Sequence, residues 1–528
     1  MQLVSTWLRT LYRSFDKAAR TAFLSAFLAG VFCHAHAMIL NLTAYDAVIL
    51  KGFDNPFASG RWAQGLIFKY LETAMGIFSL PFVNGLLGIL FIALAAMLAV
   101  KALKISERLI AGFCGVIMAV FPTAASTFGY VFVVAAYFFA LLLNVAAIYI
   151  MERRQSLLTL LLSAGLIAFA CGLYQAYFST AAVFAVSILI VDLFRVRDGE
   201  IKPIIVKAFW FLGALALGIA AYLVANRLIL RALGMEMCNY QGMSSMGSIE
   251  LSKLPAMIAR AYSEFFDLCW YYINGHIFMR KLTALFLVLA AIVIVAELIR
   301  RKPSVKALVC FAAMLSIFPL AADLVYLMSS GEGFWVHVLM RYSLVFTFVM
   351  PAALIDKCSV LAAPPHTHTR ARTLLCGALS ALLAVVMLLI PSGYVYDNNL
   401  GYLNMDLLQR ETEAYFTVLT TQIKSTEGYT DELPVAYIGE FQKEDKSFGT
   451  LPFVEDVDLA FFNFLPPSIL NTYTWREFVA IHIGFSPEVV DGAQFKDSAE
   501  VAAMPCYPDQ GSIRLVDGVI VVKFADVG

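Results

Sequence analysis

Long uncharged runs of apolar residues, separated by short basic segments, fill roughly the first three quarters of this chain. Eleven such runs, of roughly 18 to 24 residues, are each long enough to cross a hydrocarbon core of about 30 Å as a helix. They lie near 21–41, 77–100, 108–125, 129–150, 156–173, 176–195, 204–226, 282–299, 304–327, 341–356 and 374–392. The third and fourth nearly abut, and the tenth is short. The pattern predicts a polytopic α-helical membrane protein with about 11 transmembrane helices.

Segments between the runs carry a surface period. Residues Trp62 to Met75 mix Leu66, Ile67, Tyr70 and Leu71 with Lys69 and Glu72, which predicts an amphipathic helix in the membrane interface. From Ser252 to Trp270 the period is again helical, with Leu254, Ile258, Tyr262, Phe265 and Phe266 on one face. After Pro391 the pattern changes. Leu403 to Ile423 reads as an amphipathic helix and 434–438 as a strand. SIRLV and VIVVKF flank Asp517-Gly518, a pair suited to a tight hairpin turn. These shifts predict a transmembrane domain over 1–392 and a soluble, extracytoplasmic α/β domain over 393–528.

Charge orients the scheme. Lys+Arg and Asp+Glu are equal at 38 each, yet the chain from Pro391 onward holds 8 basic and 21 acidic residues, against 30 and 17 before it. Such asymmetry between two parts points to two environments. Arg9, Arg13, Lys17 and Arg20 precede the first run, and every even-numbered loop is basic: Lys101 and Lys104, Arg153 and Arg154, Arg195 and Arg197, Arg300 to Lys302, Lys357 and Arg370. Basic loops stay cytoplasmic, so the N-terminus is expected inside and, after an odd number of spans, the tail outside. The first run is too long for a removable signal and lacks a small-residue cleavage pattern, so it is read as an anchor.

Most of the nine cysteines sit inside apolar runs as small hydrophobes. Cys238 and Cys269 share one outside loop, where a disulfide and two thiols fit equally well. There is no CxxC, no GxxxxGKS and no HExxH, so no metal site or nucleotide site is expected. His34 and His36, at i and i+2, point to different helix faces and make no metal pair.

Ionisable groups at membrane depth are functional candidates. Asp46 and Asp54 follow the first run, and Tyr174 and Gln175 sit at the outer end of the fifth. Asp323, Glu332, His337 and Arg341 surround the outer ends of the ninth and tenth. Composition alone thus gives an outward-facing polar site on a polytopic scaffold, either a transporter vestibule or an enzyme. Paired repeats and broken helices would favour a transporter, and none is visible. Outer carboxylates and a soluble outer domain favour an enzyme.

Six features occur in order: Asp46, Gly60-Arg61-Trp62, the amphipathic helix, a span opening SLPFVNGLLGIL, then GLYQAYFS at 172–179 and RYSLVF at Arg341. Together they resemble the GtrII-type glucosyltransferases of bacterial O-antigen modification, over roughly residues 20–360. The resemblance implies a C-type glycosyltransferase of the bacterial inner membrane. Such an enzyme moves a sugar, here glucose, from a polyprenyl-phosphate donor to a lipid-linked or surface glycan on the outer side. Its implied partners are that donor, the glycan acceptor, membrane lipid, and a donor synthase and flippase. No nucleic acid and no cofactor are implied, and a divalent cation stays open.

Where such proteins typically have an acidic pair, this chain has Tyr45 before Asp46. Either Asp46 suffices as the catalytic carboxylate or Asp54 takes the role. Arg61 and Arg341 would contact donor phosphate, and Tyr174, Gln175 and Glu332 would contact substrate. Ordinary readings stand beside these: a helix-cap acid for Asp46, interfacial snorkelling for Arg61, span anchoring for Arg341, and an interhelical contact for Tyr174 and Gln175. A polysaccharide or lipid translocase and an O-antigen polymerase are the rival functions.

Overall fold

The computed structural model describes residues 16–42, 48–50, 52, 55–196, 201–238, 250–267, 277–328, 336–359, 370–439, 470 and 474–526. Asp46, Asp54, Glu332 and Cys269 lie outside the described residues. The chain divides into a helical unit, mainly residues 1–38 and 51–399, and a second unit drawn mainly from residues 400–528.

Among the described residues, ten helices are long and apolar enough to cross a membrane, and Leu157–Leu173 is a shorter apolar one. The labelled helices are α1 Lys17–Ile39, α2 Trp62–Met75, α3 Pro81–Ala102, α4 Arg108–Val120, α5 Val131–Arg153, α6 Leu157–Leu173 and α7 Phe178–Arg195. They continue with α8 Ile201–Leu233, α9 Leu254–Asp267, α10 Ile277–Arg301, α11 Val305–Ala322, α12 Phe346–Asp356 and α13 Arg370–Lys424.

Local sequence accounts for the ends. Pro81 opens α3, where its missing N–H removes no helical bond. Ser156 and Thr159 form a reciprocal capping box at the start of α6. Close packing follows from small residues: a Cβ on Gly115 of α4 would lie 2.3 Å from the Ala22 carbonyl oxygen of α1, so the two backbones touch.

Three boundaries differ from the hydrophobic pattern. The run at 108–125 breaks at Phe121, because Pro122 disfavours helical backbone on the residue before it; a short helix, Pro122–Phe128, then precedes α5. In α9 the buried residues are Met257, Ala261 and Phe265, a narrower stripe than expected, and Phe266 is 60% exposed. The helix entering at Arg370 runs through Pro391 to Lys424 without ending. Asn398 Nδ2 donates to the Val120 carbonyl at 2.8 Å and Asn399 Nδ2 to the Cys33 carbonyl at 3.2 Å, tying the chain beyond the proline to α4 and α1.

The even-numbered loops meet at one end of the helical unit. Lys104 pairs with Glu152 and Asp192, both at 3.1 Å, and Lys207 pairs with the same two carboxylates at 2.6 and 2.7 Å. Asp356 accepts from the backbone N–H groups of Ser106 and Glu107, at the start of α4. The buried Glu297 holds Arg300, Arg301 and the Ser359 N–H. Arg301 also donates to the Phe194 carbonyl at 3.0 Å, and Lys357 Nζ to that of Lys104. Five loops distant in sequence are thereby stitched together by their own charges.

In the second unit a four-stranded sheet has the order β2-β1-β4-β3 (β1 Val435–Ile438, β2 Val489–Val490, β3 Ile513–Val516, β4 Val519–Lys523). β1 runs parallel to both neighbours, and β3 and β4 form an antiparallel hairpin. At its turn Asp517 and Gly518 both take positive φ, 49° and 79°, as a turn matched to strand twist requires. Ile438, Phe495, Val501 and Val521 form its core.

Candidate active site

The chain from Asn55 makes one short helix, Asn55–Ala58, and turns at Ser59-Gly60 before α2. Gly60 has φ +71°, and a Cβ there would lie 2.8 Å from Tyr222 Oη and 2.9 Å from Gln175 Nε2. Only glycine satisfies both demands. Gln175 Nε2 donates to the Ser59 carbonyl at 2.7 Å and to Tyr222 Oη at 3.1 Å; Tyr222 Oη donates to the Gly60 carbonyl at 3.1 Å. Two carbonyls of one turn are therefore held by side chains from α8 and from the α6–α7 connection.

That clamp sets the direction of Arg61. Its guanidinium lies 5.1 Å from the Tyr174 ring centre and 5.8 Å from that of Tyr137. The two rings are stacked, 3.6 Å apart and 7° from parallel. With the ring centres only 3.6 Å apart, these distances put the guanidinium at the rim of the stacked pair, where it keeps a permanent charge. Next in sequence, Trp62 fits against Gly172, where a Cβ would come within 2.5 Å of the indole. Gly60-Arg61-Trp62 and Gly172 to Gln175 are thus two halves of one interlocked structure, although more than a hundred residues separate them.

Several buried polar atoms nearby lack a protein partner: Trp62 Nε1, both amide atoms of Gln64, Tyr174 Oη and Asn226 Oδ1. Gln64 is wholly buried and follows Arg61 by three residues, so it lies on the same helix face. Each such orphan costs about 1–3 kcal/mol and calls for an explanation.

Arg341 belongs to a different cluster. It forms a two-pronged pair with the buried Asp323, Nε to Oδ1 at 2.8 Å and Nη2 to Oδ2 at 2.6 Å. Nη2 also donates to the Glu264 carbonyl at 2.9 Å, and the guanidinium lies 5.3 Å from the Tyr326 ring centre. Arg341 thus ties α9 to the end of α11. Tyr177 links the two clusters, edge-on to Tyr174 at 5.2 Å and 5.7 Å from the ring of Tyr342, the residue after Arg341.

The Arg61 cluster and the basic end are at opposite ends of the bundle. Gln175 precedes α7 and Asp192 is in its last turn, so the helix separates them by about 25 Å. An apolar cleft of about 920 Å³ elsewhere, lined by Phe32, Phe113, Met387 and Val395 among others, shares no lining residue with the Arg61 cluster.

Of the residues proposed from sequence, Arg61, Tyr174 and Gln175 come together, and Arg341 stands apart with its own acid. His34 donates to the Ala119 carbonyl and stacks on Phe128, an interhelical role. Cys238 is a free thiol. Among the described residues, no group of three His, Cys, Asp or Glu side chains could hold a metal ion. Tyr137, Tyr222, Asn226 and Gln64 were not singled out from sequence. Tyr222 and Asn226 had a readable signal: two polar residues at i and i+4 on an otherwise apolar stripe of α8.

A family model described as Glucosyl transferase GtrII matches residues 36–348, which include every member of both clusters. No curated protein and no solved structure matches the chain.

Proposed function

The chain belongs to the GtrII glucosyl transferase family, and from that premise we propose that it moves glucose from a polyprenyl-phosphate donor to a lipid-linked or surface glycan such as O-antigen. We place the reaction at the outer face of the bacterial inner membrane, the N-terminus being cytoplasmic. The observation that carries this reading is Arg61: a permanent cation, held by a clamped glycine turn beside two stacked tyrosines, at the end of the bundle away from the basic loops.

Nucleotide sugars do not reach the outer face, so a donor used there must be anchored to lipid through phosphate. A synthase inside and a flippase to expose its product are then required partners. In the transfer step the acceptor hydroxyl oxygen attacks the anomeric carbon and its proton goes to a carboxylate. The bond from that carbon to the phosphate oxygen breaks, and polyprenyl phosphate leaves as an anion. Attack opposite the departing group inverts the anomeric centre. The leaving group is already a stable anion and needs cationic stabilisation more than a proton, a task suited to arginine.

Asp46 is our general base, with Asp54 as the alternative; a positioned base contributes about 10²–10⁴-fold. Arg61 contacts the donor phosphate. Gln175 positions the Arg61 turn, and Tyr174 Oη with Gln64 supplies hydrogen bonds to sugar hydroxyls. Arg341, buried against Asp323, ties α9 to the end of α11 and leaves the phosphate to Arg61. No cofactor is assigned.

Purified protein supplied with polyprenyl-phospho-glucose and lipid-linked glycan tests the assignment. Asp46→Asn is expected to lower transfer by about 10²–10⁴-fold at unchanged yield of folded protein. Full transfer in that variant rejects Asp46 as the base, and loss in Asp54→Asn alone moves the role there.

A further inference from the structure

Two cavities lie at the basic end, away from the Arg61 cluster. The first, about 710 Å³, lies between the last turns of α7 and α10 and is lined by Arg195, Arg300, Arg301 and Lys302 with Phe194 and Pro303. Glu297 is shared by Arg300 and Arg301. Arg195 and Lys302 have no ion-pair partner among the described residues. Lys302 also takes φ +51°, just past the end of α10, where glycine or asparagine is the usual choice.

The second cavity, about 680 Å³, is an apolar groove between the first turns of α8 and α11. Ile205, Val206, Phe209 and Val309 line it and are largely exposed, and Lys202 and Lys306 stand beside them. The two linings come from neighbouring stretches of chain. Pro303 of the cup lies two residues before Val305 of the groove, and Phe194 of the cup packs on Phe311, the neighbour of Cys310 in the groove wall.

We propose that cup and groove form one binding site for an anionic phospholipid of the leaflet at the basic end, the phosphate seated among Arg195, Arg300 and Lys302 and an acyl chain along Val206 and Phe209. Charge complementarity selects the headgroup: among the described residues, four cations face the one carboxylate of Glu297, an excess that a zwitterionic lipid does not neutralise. Basic pockets between helix ends at this membrane depth suit anionic headgroups. The groove selects a lipid over a free phosphate, which has nothing to place against exposed valine and phenylalanine.

Native mass spectrometry of the full chain in detergent tests this with phosphatidylglycerol, phosphatidylcholine of the same acyl chains, and inorganic phosphate. Phosphatidylglycerol is expected to bind about 25-fold more tightly than phosphatidylcholine, about 5-fold for each of the two unpaired cations. The Arg195→Gln, Lys302→Gln double variant is expected to remove that preference. Val206→Trp, which fills the groove, is expected to weaken both lipids, and equimolar phosphate to displace neither. Equal binding of the two lipids to the unaltered protein overturns the proposal. So does displacement of phosphatidylglycerol by equimolar phosphate with no effect of Val206→Trp, which would make the cup a site for free anions.

Discussion

The two ends of the helical unit handle buried polarity in opposite ways. At the basic end, charge is matched by charge: Lys104 and Lys207 alternate with Glu152 and Asp192, and Glu297 collects two arginines and a backbone N–H. At the other end, apart from the Arg341–Asp323 pair, the Arg61 guanidinium lies beside stacked tyrosines, and the amide of Gln64 and the hydroxyl of Tyr174 are buried without partners. The first arrangement holds loops together. The second leaves hydrogen-bonding capacity for something that is not protein. Stability and function are therefore expected to separate by position along the same helices.

The largest expected effect tests the stitched end. Glu297→Gln leaves Arg300 and Arg301 without their acid and is expected to destabilise the fold by about 3 kcal/mol, toward the lower bound for buried pairs because both arginines reach solvent. Thermal unfolding in detergent measures it, and the transfer rate per folded molecule should be unchanged. A rate loss as large as the stability loss would break the contrast.

Gly60→Ala tests the other end. Its methyl would strike Tyr222 Oη and Gln175 Nε2 and force a left-handed φ on alanine, so Arg61 is expected to shift and transfer to fall about 100-fold. Gln64→Leu sharpens the point. Removing an unpartnered amide is expected to raise stability by about 1 kcal/mol while lowering transfer, a pairing of signs that a merely structural residue does not give. A combined loss of stability and rate would assign Gln64 to packing.

The smallest effect lies outside both ends, in the second unit. His482 donates to Glu413 at 3.2 Å, and burial pushes its pKa below the usual histidine value more than Glu413 raises it. The unfolded chain then takes up a proton that the folded unit resists. Stability of this unit is expected to hold above about pH 6.5 and to decline as pH falls below it. Hydrogen exchange of the full chain reads the slope, which His482→Phe should flatten.

Helix α2 runs from Trp62 to Met75, as its amphipathic period predicts, and the Asp517-Gly518 hairpin follows from turn chemistry, because both depend on neighbours in sequence. The passage of α13 through Pro391 did not. Proline removes one hydrogen bond, but Asn398 and Asn399 bond to backbone nearly three hundred residues or more away, a gain no local window contains. The site divides along the same line. Arg61, Tyr174 and Gln175 stand out as polar groups at span ends, whereas Tyr137 and Tyr222 lie inside apolar runs and gain meaning only when residue 60 meets residue 175.

The fit of Trp62 against Gly172 has a practical corollary. The chain has six tryptophans, and this one sits edge-on to Phe169 with its indole nitrogen buried and unbonded. Replacing the other five with phenylalanine leaves a single native fluorophore next to Arg61. Its emission maximum then becomes an intrinsic gauge of whether a donor is bound beside Arg61, with no dye or radiolabel attached to the sugar.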